Sequence, residues 1–384
     1  MKISIVGGGN GGVFTALSLG WIYRDIYEVE LIYNPEILPE RVGQATVLDP
    51  PKLLWAALGF NWYNNPIHAT FKSGILYEGW GKVNDEVFHE FPPDSMAMHY
   101  CPWEMQKYVL DSGFFKVVED NILDINQVDA DYVFDCRGKP DDYSDYDELI
   151  NPTNAAILAK PNWDTSEAFW SRHVATPDGW TFVIPTSPSS PSNNYCVGYC
   201  YNSNITSKEE AEKNMLNMFD VEITKHVNYK NYVAKKSIID NRIILNGNRL
   251  FFLEPLESSS TQVYLEQMKN FKFILEGCLG VDYYNDFMRQ YIRQIETFVL
   301  WHYQFGSKYN TPFWEYAKSL PFKMDRNFQQ RLKQIEKGRR KTIPSGYGGD
   351  LGEVPNYAQW NNPSFWVWKN GMSVPNKELS LKAL

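Results

Sequence analysis

Met1-Lys2-Ile3-Ser4-Ile5-Val6-Gly7-Gly8-Gly9-Asn10-Gly11-Gly12 opens the chain. Residues 2–6 are short, apolar and β-branched, the composition of a buried strand. Gly7, Gly9 and Gly12 then spell G-x-G-x-x-G, and residues 13–22 carry apolar side chains at helical spacing. Residues 29–33 read as a second strand. Strand, glycine turn, helix and strand make a βαβ unit, the context in which this pattern binds a dinucleotide. The first glycine permits the tight turn, the second lets backbone approach a pyrophosphate, and the third lets helix and strand pack closely. The pyrophosphate meets unpaired N–H groups and the positive dipole at the helix N-terminus. Gly7, Gly9, Asn10 and Gly12 are therefore the expected cofactor-binding residues. The acid that usually holds the adenosine ribose is missing, because the second strand ends Leu31-Ile32-Tyr33-Asn34-Pro35. Asn34 is left as a weaker hydroxyl partner. No second G-x-G-x-x-G occurs, so no separate nicotinamide domain is evident; if the cofactor is FAD, its electrons would arrive from another protein.

Composition bounds the rest. The 384 residues suit roughly two or three domains or one large interwoven unit. With 13 Trp, 24 Tyr and 22 Phe, disorder is excluded as the general state. A net charge of −9 argues against sequence-independent nucleic-acid binding, which needs cations to replace phosphate counterions. No apolar run is long enough to span a membrane, and the N-terminal apolar stretch is too short for a signal peptide. Five cysteines, Cys101, Cys136, Cys196, Cys200 and Cys278, are odd in number and sparse, which favours a reducing cytoplasm over a disulfide framework. Cys196 and Cys200 read as packing residues, and His68, His99, His173 and His226 have no metal-ligand spacing, so no metal is expected. Ala130–Cys136 reads as a buried strand ended by Gly138. Residues 160–250 read as antiparallel sheet. Tyr264–Leu275, Tyr284–Tyr303 and Arg326–Lys341 have helical patterns, and the final 40 residues, rich in Gly, Pro, Asn and Trp, should wrap the surface. The acidic run Asp141–Glu148 and the basic run Arg331–Lys341 read as solvated faces. The oligomeric state is not legible, and a homo-oligomer stays open.

Further segments gain meaning together. Val42-Gly43-Gln44-Ala45-Thr46 follows the second strand, then Phe71-Lys72-Ser73-Gly74-Ile75 and Trp80. Asp135-Cys136-Arg137-Gly138 ends a strand, and Gly179-Trp180-Thr181-Phe182-Val183-Ile184-Pro185 lies in the sheet region. Leu253-Glu254-Pro255-Leu256-Glu257-Ser258-Ser259-Ser260, His302-Tyr303 and Asn310-Thr311-Pro312-Phe313-Trp314 complete the series. In this order they resemble the flavin-dependent halogenases of the tryptophan-halogenase type. The resemblance runs from residue 1 to about 318 and is strongest at Glu254–Ser259 and Thr311–Trp314. The short chain and altered motifs most resemble the compact viral (cyanophage) members.

The resemblance implies an α/β protein with the FAD/NAD(P)-binding fold of the p-hydroxybenzoate-hydroxylase type. Residues 1–68, 100–157 and 237–300 would form the FAD-binding module and 69–99 and 158–236 an antiparallel substrate sheet. Residues 301–384 would form a helical C-terminal part with a wrapping tail. FAD, as FADH2 from a separate flavin reductase, oxygen and a halide ion would yield hypohalous acid, which halogenates a small electron-rich aromatic. The setting would be the cytoplasm, the host's if the source is viral. Lys72 matches the family's catalytic lysine, acting as an ammonium that polarises the oxidant or as an amine that forms a haloamine. Glu257 matches its active-site glutamate, either orienting the oxidant or accepting the ring proton; read alone, it would cap the next helix. Gln44, Ala45, Thr46 and Leu253 match the flavin-bordering segments, and the Ser259 and Ser260 N–H groups the halide site. Trp180, Phe182, Ile184 and Pro185 match the wall between flavin and substrate, while His89 and Phe91 match the rings that sandwich the substrate.

Departures are specific. Gln44 replaces a glutamate, Arg137 a small residue, Phe182 a tryptophan, and Gly247-Asn248 stands where a Gly-Asp would meet the flavin ribityl chain. The shorter tail implies a more open pocket, with Trp360, Trp366 and Trp368 read as pins rather than a stacking wall. Two rivals remain: a flavin monooxygenase that hydroxylates an aromatic, and a non-catalytic binding protein on an FAD fold.

Overall fold

The computed structural model describes residues 1–92, 97–336 and 356–375. Lys2–Val6 is the inner strand of the glycine-led unit, paired in parallel with Glu28–Tyr33 and Tyr132–Asp135. Ile3, Ser4, Ile5 and Val6 are all buried, as expected of a parallel strand covered on both faces. The one hydroxyl among them is satisfied: Ser4 donates to Glu30 Oε1 at 2.7 Å. The sheet has six strands in the order Ile238–Ile239, Ile243–Leu245, Tyr132–Asp135, Lys2–Val6, Glu28–Tyr33, Lys116–Glu119. Only its Ile238–Leu245 hairpin is antiparallel.

The helix Asn10–Tyr23 follows at once and is buried from Gly11 to Gly20. A helix apolar on every side must be covered on every side. It packs on the sheet, on Pro102–Leu110 and on Ser260–Leu275. Gly12 makes that approach possible, because a Cβ there would lie 1.8 Å from the Gly7 carbonyl oxygen.

A second sheet has seven strands: Val221–Asn228, Ala155–Pro161, Val197–Tyr201, Gly179–Val183, Ser171–Thr176, Gly74–Glu78, Glu86–Glu90. Its pairings are antiparallel except Ser171–Thr176 with Gly74–Glu78, which is parallel. That join imports an early segment of chain into the sheet, with Lys72 two residues before the start of the Gly74–Glu78 strand. The 160–250 region is not one antiparallel sheet: Tyr232–Ala234 pairs with Tyr146–Glu148 and Phe251–Phe252 in a separate three-stranded sheet. Ile238–Leu245 belongs to the first sheet, and Lys208–Met218 is a helix whose N-cap, Ser207, accepts from Glu210 N at 3.2 Å.

The helical part includes Ser260–Leu275, Val281–Gln304, Pro312–Ser319, Arg326–Glu336 and Asn362–Ser373. Val281–Gln304 runs across the expected boundary at residue 300. Of the helical and basic stretch ending at Lys341, residues 337–341 lie outside the described residues, as do 376–384 of the tail. The described tail carries the helix Asn362–Ser373. Asn361 caps it and Pro363 stands in its first turn. It lies against Glu86–Glu90 and Arg326–Glu336. All five cysteines are free thiols. Among the described residues no His, Cys, Asp or Glu cluster suits a metal, and no helix is long and apolar enough to cross a membrane.

Candidate active site

Lys72 follows the short strand Thr70–Phe71, and its backbone N–H donates to Ala97 O at 2.8 Å. Its side chain is fully buried. Nζ donates to Ser258 Oγ at 3.0 Å and to Thr46 O at 3.2 Å. The Phe91 ring centroid is 5.1 Å from Nζ. Burial lowers the Lys72 pKa from 10.5 to about 7, against an upward pull from the Glu257 charge. The amine therefore exchanges between charged and neutral forms near neutral pH.

Glu257 ends a 3-10 turn, Pro255–Glu257, and Ser258 follows with φ +54°. This left-handed residue turns the chain so that Glu257 and Ser258 both face inward. Glu257 does not cap the next helix. Its Oε1 accepts from Tyr77 Oη at 2.5 Å and pairs with His302 Nε2 at 2.6 Å, and its Oε2 accepts from Trp360 Nε1 at 2.9 Å. Burial alone would raise its pKa. The His302 hydrogen bond and charge, the His89 charge and the Tyr77 hydrogen bond outweigh it and lower the pKa to about 2. A carboxylate so heavily solvated by fixed donors is a strong local charge and a weak base.

Ser260 begins the Ser260–Leu275 helix with Ser259 before it. The first-turn N–H groups there have no intrahelical acceptor, and Ser259 Oγ is buried without a partner. The sequence-selected Lys72, Thr46, Glu257 and Ser259 thus meet in one place. His89 joins from the Glu86–Glu90 strand, with Nε2 3.0 Å from Ser364 Oγ and its ring edge-on to Phe91 at 5.8 Å. Burial lowers the His89 pKa, opposed by Glu257.

Trp180, Phe182 and Ile184 are buried. Trp180 Nε1 donates to Glu254 Oε2 at 3.1 Å, and its ring lies 4.8 Å from His173 and 6.1 Å from Phe182. Phe182 fills the space over Gly198, where a Cβ would meet its Cζ at 2.0 Å. Pro185 O accepts from Thr70 Oγ1 at 2.8 Å, which ties this strand to the Lys72 segment. On its other flank Ile184 sits against Gly43, and Gln44–Ala45 pairs with His99 and Tyr100.

The glycine loop fits a dinucleotide on grounds internal to the structure. A Cβ on Gly9 would meet no atom within 4 Å, so the loop is open on that side. Asn10 Oδ1 is buried without a partner. Gly11 and Gly247 close on each other, a Gly11 Cβ reaching 2.6 Å from Gly247 Cα. Leu253 is buried nearby in sequence to the site turn. Asn34 Oδ1 accepts from Glu36 N at 2.9 Å, which commits that oxygen to a turn. Arg137 brings no free charge to this loop. Asp135 accepts from its Nε at 2.9 Å and also from Arg249 at 3.1 Å.

The sequence model of the tryptophan halogenase family matches residues 2–114 and 121–378. The chain belongs to the tryptophan halogenase family. It is 23% identical to tryptophan 7-halogenase RebH of Lentzea aerocolonigenes over 490 aligned positions, spanning 97% of this chain and 89% of that one. Among solved structures it resembles Xcc4156, a flavin-dependent halogenase from Xanthomonas campestris, with a TM-score of 0.77 at 17% identity, covering 98% and 89% of the two chains. It also resembles tryptophan 6-halogenase SttH from Streptomyces toxytricini, with a TM-score of 0.74 at 20% identity, covering 99% and 93%. The two structural likenesses show a shared mixed α/β fold.

Several side chains that contact Glu257 or Trp180 carry no role legible in the sequence of this family member. Tyr77 carried no signal beyond strand alternation. His302 and Glu254 stood inside quoted motifs, yet only folding reveals their contacts. Glu254 accepts from Thr153 Oγ1 at 2.5 Å, Tyr303 Oη at 2.7 Å and Trp180, so one carboxyl joins three elements. The tail tryptophans do more than pin. Trp360 reaches Glu257, and the buried Trp368 ring lies 3.6 Å from His302 and 4.4 Å from Tyr77. The described part of the tail therefore reaches Glu257.

Proposed function

We propose that the protein is a flavin-dependent halogenase that uses FADH2, oxygen and a halide to halogenate a small electron-rich aromatic. The observation that carries this reading is the buried Lys72 amine. It is held on Thr46 O and Ser258 Oγ, with the ionised Glu257 and the Ser259–Ser260 helix start adjacent in the chain. Bound FADH2, with oxygen, supplies the two-electron oxidation that turns halide into hypohalous acid. Gly7, Gly9, Asn10 and Gly12 hold the pyrophosphate, Asn34 the ribose, and Gln44, Ala45, Thr46 and Leu253 border the flavin ring. The Ser259 and Ser260 N–H groups receive the halide. Trp180, Phe182, Ile184 and Pro185 keep the aromatic away from the flavin. Lys72 receives the oxidant and presents it to a substrate beside His89 and Phe91. Glu257 supplies a fixed negative charge that sustains the lysine ammonium.

The fold reading is of the p-hydroxybenzoate-hydroxylase type. All six strands of the first sheet fall within the FAD-module ranges. The seven-stranded sheet falls in the substrate ranges, except the first residues of Ala155–Pro161. A separate reductase delivers FADH2, in keeping with a single glycine motif. A cytoplasmic setting rests on the five free cysteines, and kinship to viral members on chain length and altered motifs alone.

The test is uncoupling. Lys72→Ala should lose halogenated product while FADH2 continues to be reoxidised in air. Product persisting at the wild-type rate would remove Lys72 from the chemistry.

A further inference from the structure

We propose that His302 is a positioning residue: a buried imidazolium that holds Glu257 ionised and, through Glu257, sets the charge on Lys72. The inference deepens the halogenase reading and rests on it for its catalytic consequence, though not for the charge state itself.

Hydrogen-bond accounting carries the charge state. His302 Nδ1 lies 2.7 Å from Phe298 O, and a carbonyl only accepts, so Nδ1 bears hydrogen. His302 Nε2 lies 2.6 Å from Glu257 Oε1, which also accepts from Tyr77, while Oε2 accepts from Trp360. Donors converging on both oxygens are the environment of a carboxylate, not of a carboxylic acid, so Nε2 bears hydrogen too. A ring with hydrogen on both nitrogens is a cation. The Trp368 ring supports it, with its centroid 3.6 Å from that of His302 and both side chains fully buried. A cation against an indole is favourable, and more so out of water.

The surroundings leave this pair as the charge centre. From the Gly74–Glu78 strand comes Tyr77, whose pKa is raised far above 10 by burial and Glu257, so it stays a donor. From Glu86–Glu90 comes His89, and from Ser171–Thr176 comes His173, whose pKa values are both lowered chiefly by burial. Lys72 completes the set. Its pKa is lowered by burial and raised by the Glu257 charge. If the imidazolium charge is removed, burial drives Glu257 to take a proton, and Lys72 loses its anionic neighbour.

Two measurements test this. In 15N-histidine-labelled wild-type protein at about pH 7, one buried ring should show two slowly exchanging N–H protons. Exposed His68 and the solvent-accessible His226 exchange too fast to confuse it. No ring with both protons at that pH overturns the proposal, whether or not the enzyme halogenates anything. The second is the pH profile of product formation. His302→Gln keeps an N–H donor without the charge, and His302→Phe has neither. Both should move the Lys72 limb down by ~1 pH unit or more, the size expected for losing an adjacent opposite charge. A Gln variant with the wild-type limb would show that geometry rather than charge matters, and would overturn it. Absence of any halogenated product from wild type would defeat the halogenase reading and leave the resonance result standing.

Discussion

Replacing Lys72 with methionine should abolish product yet make the folded chain more stable, most of all in acid. The side chains are similar in length, so packing is roughly conserved. The unfolded lysine titrates near 10.5 and the folded one near 7. That difference corresponds to a cost of ~5 kcal/mol for holding the ammonium in the fold, at ~1.36 kcal/mol per pKa unit. Losing the hydrogen bonds to Thr46 O and Ser258 Oγ offsets ~1–3 kcal/mol of the gain. The pH dependence is independent of that offset. Between the two pKa values the unfolded chain binds the extra proton, so wild-type stability rises with pH there. From about pH 6 to about pH 9 the lysine cost shrinks by ~3 kcal/mol. Urea unfolding of both proteins across that range should show the methionine advantage largest at the acidic end and falling by this amount. An advantage that is constant with pH, or a lysine protein more stable at pH ~6, would refute the account of a buried, half-titrated amine.

Other outcomes follow from the same site. Glu257→Gln removes the charge that supports the Lys72 ammonium; its pH–rate limb should move to lower pH and product formation should fall ~100-fold or more. An unmoved limb would contradict the proposed coupling. Gly9→Ala should leave the urea midpoint unchanged, since no protein atom meets the new Cβ, yet weaken FAD binding at least ~10-fold in a flavin titration. Gly12→Ala, with a Cβ 1.8 Å from Gly7 O, should instead lower stability directly. Trp360→Phe deletes one donor to the Glu257 carboxylate and should destabilise by ~1.5–3 kcal/mol; an unchanged unfolding curve would mean that the tail does not engage Glu257.

The opening βαβ unit was legible because each local signal agreed: strand, glycines, helix and strand in the right order. Lys72, Glu257 and the Ser259–Ser260 start were legible as motif positions, and the fold brings them together across 186 residues in the Lys72–Ser258 contact. The helix at Lys208–Met218 was missed although Ser207 and Glu210 spell its capping box; the surrounding strand composition masked it. The parallel entry of Gly74–Glu78 into the second sheet has no local signature, because pairing direction is a long-range choice. His302 and Trp360 could not be placed for the same reason: a helix near residue 300 and a tail near 360 converge on one carboxylate.

The central claim is that the oxidant made at the flavin is captured as a carbon–halogen bond. The direct measurement is mass spectrometry of products after supplying FADH2 through a reductase, oxygen, and chloride, bromide or iodide with a panel of indoles and phenols. The account predicts an aromatic product carrying halogen in place of hydrogen, lost in Lys72→Ala. An oxygenated aromatic without halogen, formed under all three halides, would contradict it and identify a monooxygenase instead.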